Sequence, residues 1–591
     1  MIVVNIFISS LLGISFLIYC FVWPKKKFNF LAALILISLL PVISILRKGS
    51  YESGHLALHV NYTIEFYENL IAGNIFPQWA DIGYGFPIHI FQYPLPYYAA
   101  SIFHFIGFSF LNSVKLVLFF TYILSGITMY LWIKEEFGKI PGFVSAILYL
   151  FAPAHLVDMH FVVSLGESAV FAFIPLAFFS TKKFIETGKT VFFVLLSISV
   201  ASLILTHPMV TIIIFYFLIV YALIIWFLKK KRKVKLIVYY FISILFGLML
   251  SIFYWLPLIS EEKYTMYTLT LPIPGFLTIK ELLYSPALFG LLFQGNQGKS
   301  YNLIGYAHLI LLFISIFFYL KKIFNTHEKI ILLFFLGSFS ILILLMLPIS
   351  KPIWKLIPYI NNIQSVARLL VPISFVTSAI AGIVVGKINK KWLIVLICIF
   401  TIYTTILNWG NRKMVPENRD IYVGYGEMYT EYYERDNPFY QKNYNFDGYI
   451  LKRPSGKNIE IVTGKANLLE INRNPTKHEY IMQVKEATTF KENTFYFPGW
   501  TLMVNNKLHK INYQNLNNLG IITFDLNPGL YKTELIFNNT PVRSFSQSIS
   551  IFTFILLTLC TIFTARQSVL ISAKRFIKRT QLNVEKLSIK L

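Results

Sequence analysis

Cysteine and acidic residues are both scarce in this chain. Of its 591 residues only three are cysteine, Cys20, Cys398 and Cys560, each inside an apolar run and none in a CxxC or HxxxC spacing. That excludes a disulfide framework and suggests no structural zinc site. Asp and Glu number 28 against 53 Lys and Arg, a formal charge of +25. A nucleic-acid surface would gather such a charge on one face. Here it falls in short loops, "PKKK" at 24–27, "KEEFGK" at 134–139, "TKKFIETGK" at 181–189, "LKKKRKVK" at 228–235, "LKK" at 320–322 and "GKINKK" at 386–391, with "SAKRFIKRT" near the end. Short Lys/Arg-rich loops between apolar runs mark the cytoplasmic side of a membrane protein. No nucleic-acid partner is expected.

Apolar side chains are what the chain has in abundance: 56% of it is hydrophobic and 17% aromatic. Each apolar run of about seventeen or more residues can cross a hydrocarbon core of roughly 30 Å as a helix. About thirteen such spans are expected, near 2–23, 28–46, 113–133, 140–156, 168–181, 189–206, 208–228, 236–256, 304–320, 330–348, 368–386, 392–408 and 548–564. The first has no basic region before it and no small-residue cleavage site, so it reads as a retained helix. With the basic loops inside, the N-terminus is expected outside and the C-terminus in the cytoplasm, which is the topology of a multi-pass membrane protein.

The expected fold class is therefore mainly α, a polytopic helical bundle, with one exception. Residues 409–547 are richer in Asn, Tyr, Glu and Lys, and their apolar residues alternate. "NIEIVTG", "ANLLEINR", "HEYIMQVKEA", "TFYFPGWTLMVNN" and "GIITFDLNPGLYKTELIF" read as strands, with "NPG" at 527–529 as a hairpin turn. A tethered extracytoplasmic β-sandwich is expected there. The division is then 1–408 as the membrane region with outer loops 47–112, 257–303 and 349–367, 409–547 as the β-rich domain, and 548–591 as the last span and basic tail.

The opening outer segment, "ESGHLALHVNYTIEFYENLIAGNIFPQWADIGYGFPIHIFQYPLPYY" at 52–98, carries an unusual load of His, acid, Gly, Pro and Tyr. Gly83 and Gly85 permit positive φ, and Pro87, Pro94 and Pro96 stiffen the turns. Tyr84, Phe86, Tyr93, Tyr97 and Tyr98 suit a headgroup layer or a sugar-stacking platform. His55 and His59, four apart, would share a helix face as metal ligands do, yet no third ligand is placed by the sequence. In the next outer loop, Asp158 and Glu167 stand at span edges, where ionisable groups are costly unless they serve a partner or a site. Arg368 begins a span four residues after Gln364, and its fork suits a bidentate hold on phosphate as well as a snorkelling edge charge. His207-Pro208 reads as a turn, and "FPGW", Phe497 to Trp500, as a turn packed on the β core.

Three stretches taken together carry a resemblance: "LIAGNIFPQW" followed by "GYGFPIHIFQYPLPYY", then "PIWKLIPYINNIQSVARLLVP", then "FYFPGWTLMVNNK" with "GIITFDLNPGLYKTELIFNNTPVRSFSQSIS". Their order resembles the bacterial membrane proteins labelled 6-pyruvoyl-tetrahydropterin synthase-related, which are similar in plan to GT-C glycosyltransferases. The pterin chemistry of that label would need a zinc held by three histidines on a compact α+β fold, which these residues do not offer. The resemblance implies transfer of a sugar from a polyprenyl-phosphate donor to a cell-envelope glycan or lipid. It implies a catalytic acid early in the first outer loop, in an Asp-x-x-x-His pattern. Here His59 matches the histidine and His55 stands in the Asp position, so Glu52 and Asp81 join His55 and Glu167 as catalytic candidates. His59, Tyr84, Tyr93, Tyr97, Asp158, Gln364 and Arg368 are the substrate-binding candidates. No cofactor is predicted, and a divalent cation at the site is left open. The alternatives are a degenerate member that binds lipid-linked glycan or scaffolds envelope assembly, and a transporter or flippase. Few charges lie mid-span and no inverted repeat is visible, which weighs against transport.

Overall fold

The computed structural model describes residues 29–51, 53–265, 275–283, 302–356, 363, 365–409, 414–415, 458–515, 517–518 and 520–588, the last of these without side chains beyond 564. Among the described residues, six helices are long and apolar enough to cross a membrane: Phe110–Phe137, Leu165–Thr187, Pro208–Leu228, Thr326–Met346, Val366–Val385 and Pro541–Thr564. Two bent pairs raise the number to eight. Lys139–Leu150 and Pro153–Val162 meet at 46°, and Val234–Leu250 and Ile252–Tyr264 at 67°. The expected spans at 28–46, 189–206, 304–320 and 392–408 are shorter apolar helices, Phe30–Val42, Thr190–Thr206, Tyr306–Leu320 and Lys391–Thr404. The expected span at 2–23 lies outside the described residues.

Local chemistry sets the helix ends. The Ser109 hydroxyl accepts from the Asn112 amide at the start of Phe110–Phe137, and that helix stops at Gly138, whose φ is +103°. Asn325 and Glu328 form a reciprocal capping box before Thr326–Met346. The core runs along Leu370–Val385, where every side chain is buried. Small residues let a neighbour approach: a Cβ on Gly382 would stand 2.4 Å from the Ser145 hydroxyl, which itself donates to the Ser378 carbonyl at 2.8 Å. Many Ile, Leu and Phe side chains on the outer helix faces are exposed, Phe313, Ile341 and Phe552 among them, as a hydrocarbon surround would allow.

One end of the bundle is tied by charge. Glu136, with its side chain fully buried, pairs with Lys182 at 2.8 Å and His327 at 3.2 Å, and accepts from the Tyr221 hydroxyl at 2.9 Å. Four helices meet at this carboxylate. It belongs to the basic-loop end, and Lys182 lies roughly 20 Å along one helix from Glu167.

At the other end sits the β region. β1 (Ser50–Tyr51) and β2 (Met414–Val415) make a two-residue antiparallel pairing. β3 (Ile459–Thr463), β4 (Ala466–Asn474), β5 (Lys477–Val484), β6 (Thr488–Phe495), β7 (Trp500–Val504), β8 (Lys507–His509), β9 (Ile521–Leu526) and β10 (Gly529–Phe537) form two antiparallel sheets. Their orders are β4-β5-β10-β7-β8 and β3-β6-β9. Side chains of both sheets, including Tyr480, Trp500, Leu502 and Leu535 from one and Phe490, Ile522 and Phe524 from the other, share one buried cluster.

The turn at 527–529 corrects the expected hairpin. β9 pairs with β6 while β10 pairs with β5 and β7, so this turn hands the chain from one sheet to the other. A tight hairpin does join β7 to β8, through Asn505 and Asn506, at φ +47° and +62°. Asparagine tolerates that left-handed conformation better than most residues.

The opening segment is the seat of the β region. Trp79, Ile90 and Phe91 belong to the β cluster, and the Trp79 ring lies 5.3 Å from Trp500 and 5.0 Å from Phe537. Gly85 is required for this: its φ is +74°, and a Cβ there would lie 2.5 Å from the Trp79 ring.

Candidate functional site

The chain between the two halves of the helix pair Lys139–Leu150 and Pro153–Val162 is re-aimed by Pro153, which fits the first turn of a helix because it has no N–H to satisfy. Asp158 to Val162 then make one π-helical turn, and Val163 adopts a left-handed φ of +56° before the next helix begins at Leu165. A β-branched residue there is strained backbone, of a kind that functional sites concentrate. This reversal places the Asp158 and Glu167 side chains, both buried, at the same end of the bundle.

Arg368 and His207 complete the cluster. Arg368 Nε donates to Glu167 Oε1 at 2.9 Å, and one terminal nitrogen donates to the Ile363 carbonyl at 2.8 Å. His207 Nε2 stands 3.5 Å from the same Glu167 oxygen, while its Nδ1 accepts from the Val210 amide at 3.3 Å. Glu167 is thus held between two donors, and it aims the guanidinium. Tyr93 stacks on His207, with ring centres 6.0 Å apart, and on Tyr97 at 6.1 Å. Gly166 is needed for this closeness, since a Cβ there would stand 2.3 Å from the Thr206 carbonyl and 2.5 Å from the Tyr93 ring. Burial pushes the Tyr93 hydroxyl up, so it stays a protonated donor.

A cleft of about 330 Å³ opens beside this cluster. One wall is apolar, formed by Ile204, Met209, Ile212, Phe215, Trp255 and Leu258; the polar liners are Gln92, Tyr93, Thr211, His207, Glu262 and Arg368. The cleft has a greasy side and one guanidinium. Among the described residues no group of three or more His, Cys, Asp or Glu is arranged to hold a metal ion.

The other expected residues are distributed as follows. His59 is buried, with Nδ1 at 2.8 Å from the Tyr97 hydroxyl and Nε2 at 3.4 Å from the Leu165 amide, and so it braces the start of the Glu167 helix. His55 caps the helix Leu56–Ile71; its backbone amide donates to the Val162 carbonyl, and its ring centre lies 6.5 Å from that of His59. Asp81 is elsewhere: both its oxygens accept from Arg473 of β4 at 3.1 Å. Tyr84 packs on Phe495, and its carbonyl accepts from the Phe495 amide at 2.7 Å. Those two residues therefore join the opening segment to the β region. They are not gathered with Glu167. Glu52 and Gln364 lie outside the described residues.

His207, a turn residue by its sequence, and Glu262, which no sequence motif marks, both belong to the site. The Pro after His207 starts the next helix, so its ring is fixed as an N-cap and turned back on Glu167. The signal for Glu262 was the Glu261-Glu262 pair on an apolar flank. Glu261 is consumed by the buried Arg543, at 2.8 Å, and Glu262 is the one that lines the cleft.

Two buried imidazoles of the opening segment predict an acid sensitivity. Burial, helped by His55, brings His59 down to about 3, and burial alone does the same to His89. Both ring nitrogens of His89 are without a hydrogen-bond partner among the described residues. A depressed histidine makes the unfolded chain bind the extra proton. Stability is then full above the ordinary value of 6.5 and falls as the pH drops toward 3, by about 2 kcal/mol per histidine at pH 5. The melting temperature in detergent should fall between pH 7 and pH 5, and His89→Leu should flatten part of that slope. A pH-independent melting temperature in the wild type would contradict the assignment.

An apolar-surfaced bundle of long helices with a polar site at one end defines a polytopic membrane protein. The chain belongs to the family of membrane proteins described by the 6-pyruvoyl-tetrahydropterin synthase related domain, whose model matches residues 91–412. An uncharacterized protein of Lactococcus lactis subsp. cremoris (strain MG1363) is 23% identical over 352 residues, 56% of this chain and 55% of that protein. The chain therefore spans about half the length of that relative. Among solved structures, the apo oligosaccharyltransferase of Archaeoglobus fulgidus is similar with a TM-score of 0.38 and 15% identity, over 71% of this chain and 58% of that one. The arabinofuranosyltransferase AftD from Mycobacteria is similar with a TM-score of 0.35 and 12% identity, over 65% and 27%.

Proposed function

We propose that this protein is a membrane glycosyltransferase that takes a sugar from a polyprenyl-phosphate donor and passes it to a cell-envelope glycan or lipid on the outer face of a bacterial cytoplasmic membrane. The observation that carries the reading is the cleft, with an apolar wall on one side and on the other an arginine fixed by a buried carboxylate. A lipid phosphate has that same division between greasy tail and anionic head. Arg368 holds the phosphate, and Glu167 positions Arg368. Tyr93 and His207 supply a stacked wall for the sugar, braced from behind by Tyr97 and His59. Glu262, the carboxylate that lines the cleft among the described residues, takes the proton of the acceptor hydroxyl as its oxygen bonds to the sugar's anomeric carbon. The bond from that carbon to the phosphate breaks, and polyprenyl phosphate leaves with its charge against Arg368. The topology that goes with this reading has about thirteen spans, the N-terminus outside, the basic loops and C-terminus inside, and the β region as an outer sandwich over the cleft.

The test is transfer in lipid nanodiscs from a panel of radiolabelled polyprenyl-phosphate sugars. Arg368→Gln should weaken donor binding and lower transfer by about a hundredfold or more. The second reading, a glycan binder without catalysis, is favoured by His55 standing where the resemblance has an acid. Donor binding that depends on Arg368 with no transfer from any donor would select it, and absence of donor binding would remove both.

A further inference from the structure

We infer that a second cleft, at the seam between the opening segment and the β region, binds a neutral, hydroxyl-rich ligand, a segment of glycan. Its volume is about 430 Å³, within the range of small-molecule sites. Seven carboxamide side chains line it, against a single charged group, Lys477, and no carboxylate. Lys477 is committed to Glu479 at 2.9 Å. Among the described residues, an anion would find no uncommitted cation here, and a metal ion no carboxylate. A carboxamide offers two donors and two acceptor sites, the same mixture that a sugar hydroxyl offers.

The amides are already set in place. Gln78 donates to Asn539 Oδ1 at 2.5 Å, and Asn539 and Gln547 exchange hydrogen bonds at 2.9 and 3.2 Å. Asn74 donates to the Thr476 hydroxyl at 2.8 Å. These pairs come from three parts of the chain, the opening segment, the β4–β5 turn and the start of the last helix. They fix the amide orientations before any ligand arrives, which lowers the ordering cost of binding. Asn69, fully buried, is a further sign. Both its amide hydrogens are used, on the Glu65 and Trp79 carbonyls, while its Oδ1 has no partner among the described residues. A buried acceptor without a donor is costly unless something supplies one. Phe76 adds an aromatic face to the same wall.

The inference does not rest on sugar transfer and stands whether or not the first cleft is catalytic. The test uses the full chain in nanodiscs, titrated by calorimetry with neutral gluco-, galacto-, manno- and rhamno-oligosaccharides and with a sulfated set. Ala72→Trp fills the cleft from an exposed position that holds no side-chain hydrogen bond, and Asn539→Ala removes a pre-set amide. At least one neutral oligosaccharide should bind, about tenfold or more weaker in Ala72→Trp, weaker also in Asn539→Ala, and unchanged in Arg368→Gln. No binding of any neutral oligosaccharide, a preference for the sulfated set, or binding indifferent to both cleft variants would overturn it. A loss in Arg368→Gln alone would assign the binding to the first cleft and overturn it too.

Discussion

Replacing Glu262 by glutamine is expected to lower glycosyl transfer by about 10²–10⁴-fold while leaving donor affinity nearly unchanged. Glu167 is already engaged by Arg368 and His207, so its oxygen holds a cation in place and is poorly available as a base. Glu262 lines the cleft with Arg368 and is almost buried, whereas Glu261 is directed to Arg543 and is not among the cleft's lining residues. The glutamine keeps shape and removes proton acceptance, so the effect should fall on kcat. Glu167→Gln should behave otherwise, raising the donor KM along with its effect on kcat, because it releases the guanidinium. Full activity in Glu262→Gln beside an inactive Arg368→Gln would move the base to another group and sink the assignment.

Replacing Arg473 by methionine should be the most destabilising single change in the β region, by about 3–5 kcal/mol. This side chain, mostly buried, binds both oxygens of Asp81, pairs with Glu492 and donates to the Tyr480 hydroxyl at 3.2 Å. Burial works against the Glu492 charge and is the largest single influence on it, yet His478 at 3.0 Å and Arg473 together hold that carboxyl below the usual range. Removing the arginine takes away the cation that Asp81 and the buried Glu492 share. The melting temperature should drop, and the segment around Trp79 should become open to protease. Neutralising all three, as Asp81→Asn, Arg473→Met and Glu492→Gln, should recover part of the loss. If Asp81→Asn instead abolished transfer without any change in stability, Asp81 would be a catalytic group and the clamp a minor feature.

Several features of this molecule were legible because they depend on neighbours in sequence. Those apolar runs that fall on described residues became helices, six to eight of them long enough to cross a membrane, and Gly83 and Gly85 take the positive φ that the turn required. The alternating segments of the C-terminal third became strands. Features that depend on distant residues were not legible. The turn at 527–529 looks like a hairpin by its residues, but only the pairing of β9 with β6 decides that it crosses between sheets. Asp81 and Tyr84 sit in a stretch rich in site-like residues, and nothing within that stretch reveals Arg473, 392 positions away.

The membrane character and the presence of a β region followed from the sequence alone, because each depends on composition and period within a short window. The tertiary structure alone decided which charges meet. Glu167 and Arg368 are 201 residues apart and touch at 2.9 Å only because a left-handed Val163 and a missing side chain at Gly166 let three helices close on one point. A carboxylate at a span edge costs the same free energy wherever its partner lies in the chain, so the sequence announces that a partner is needed and leaves the packing to choose it.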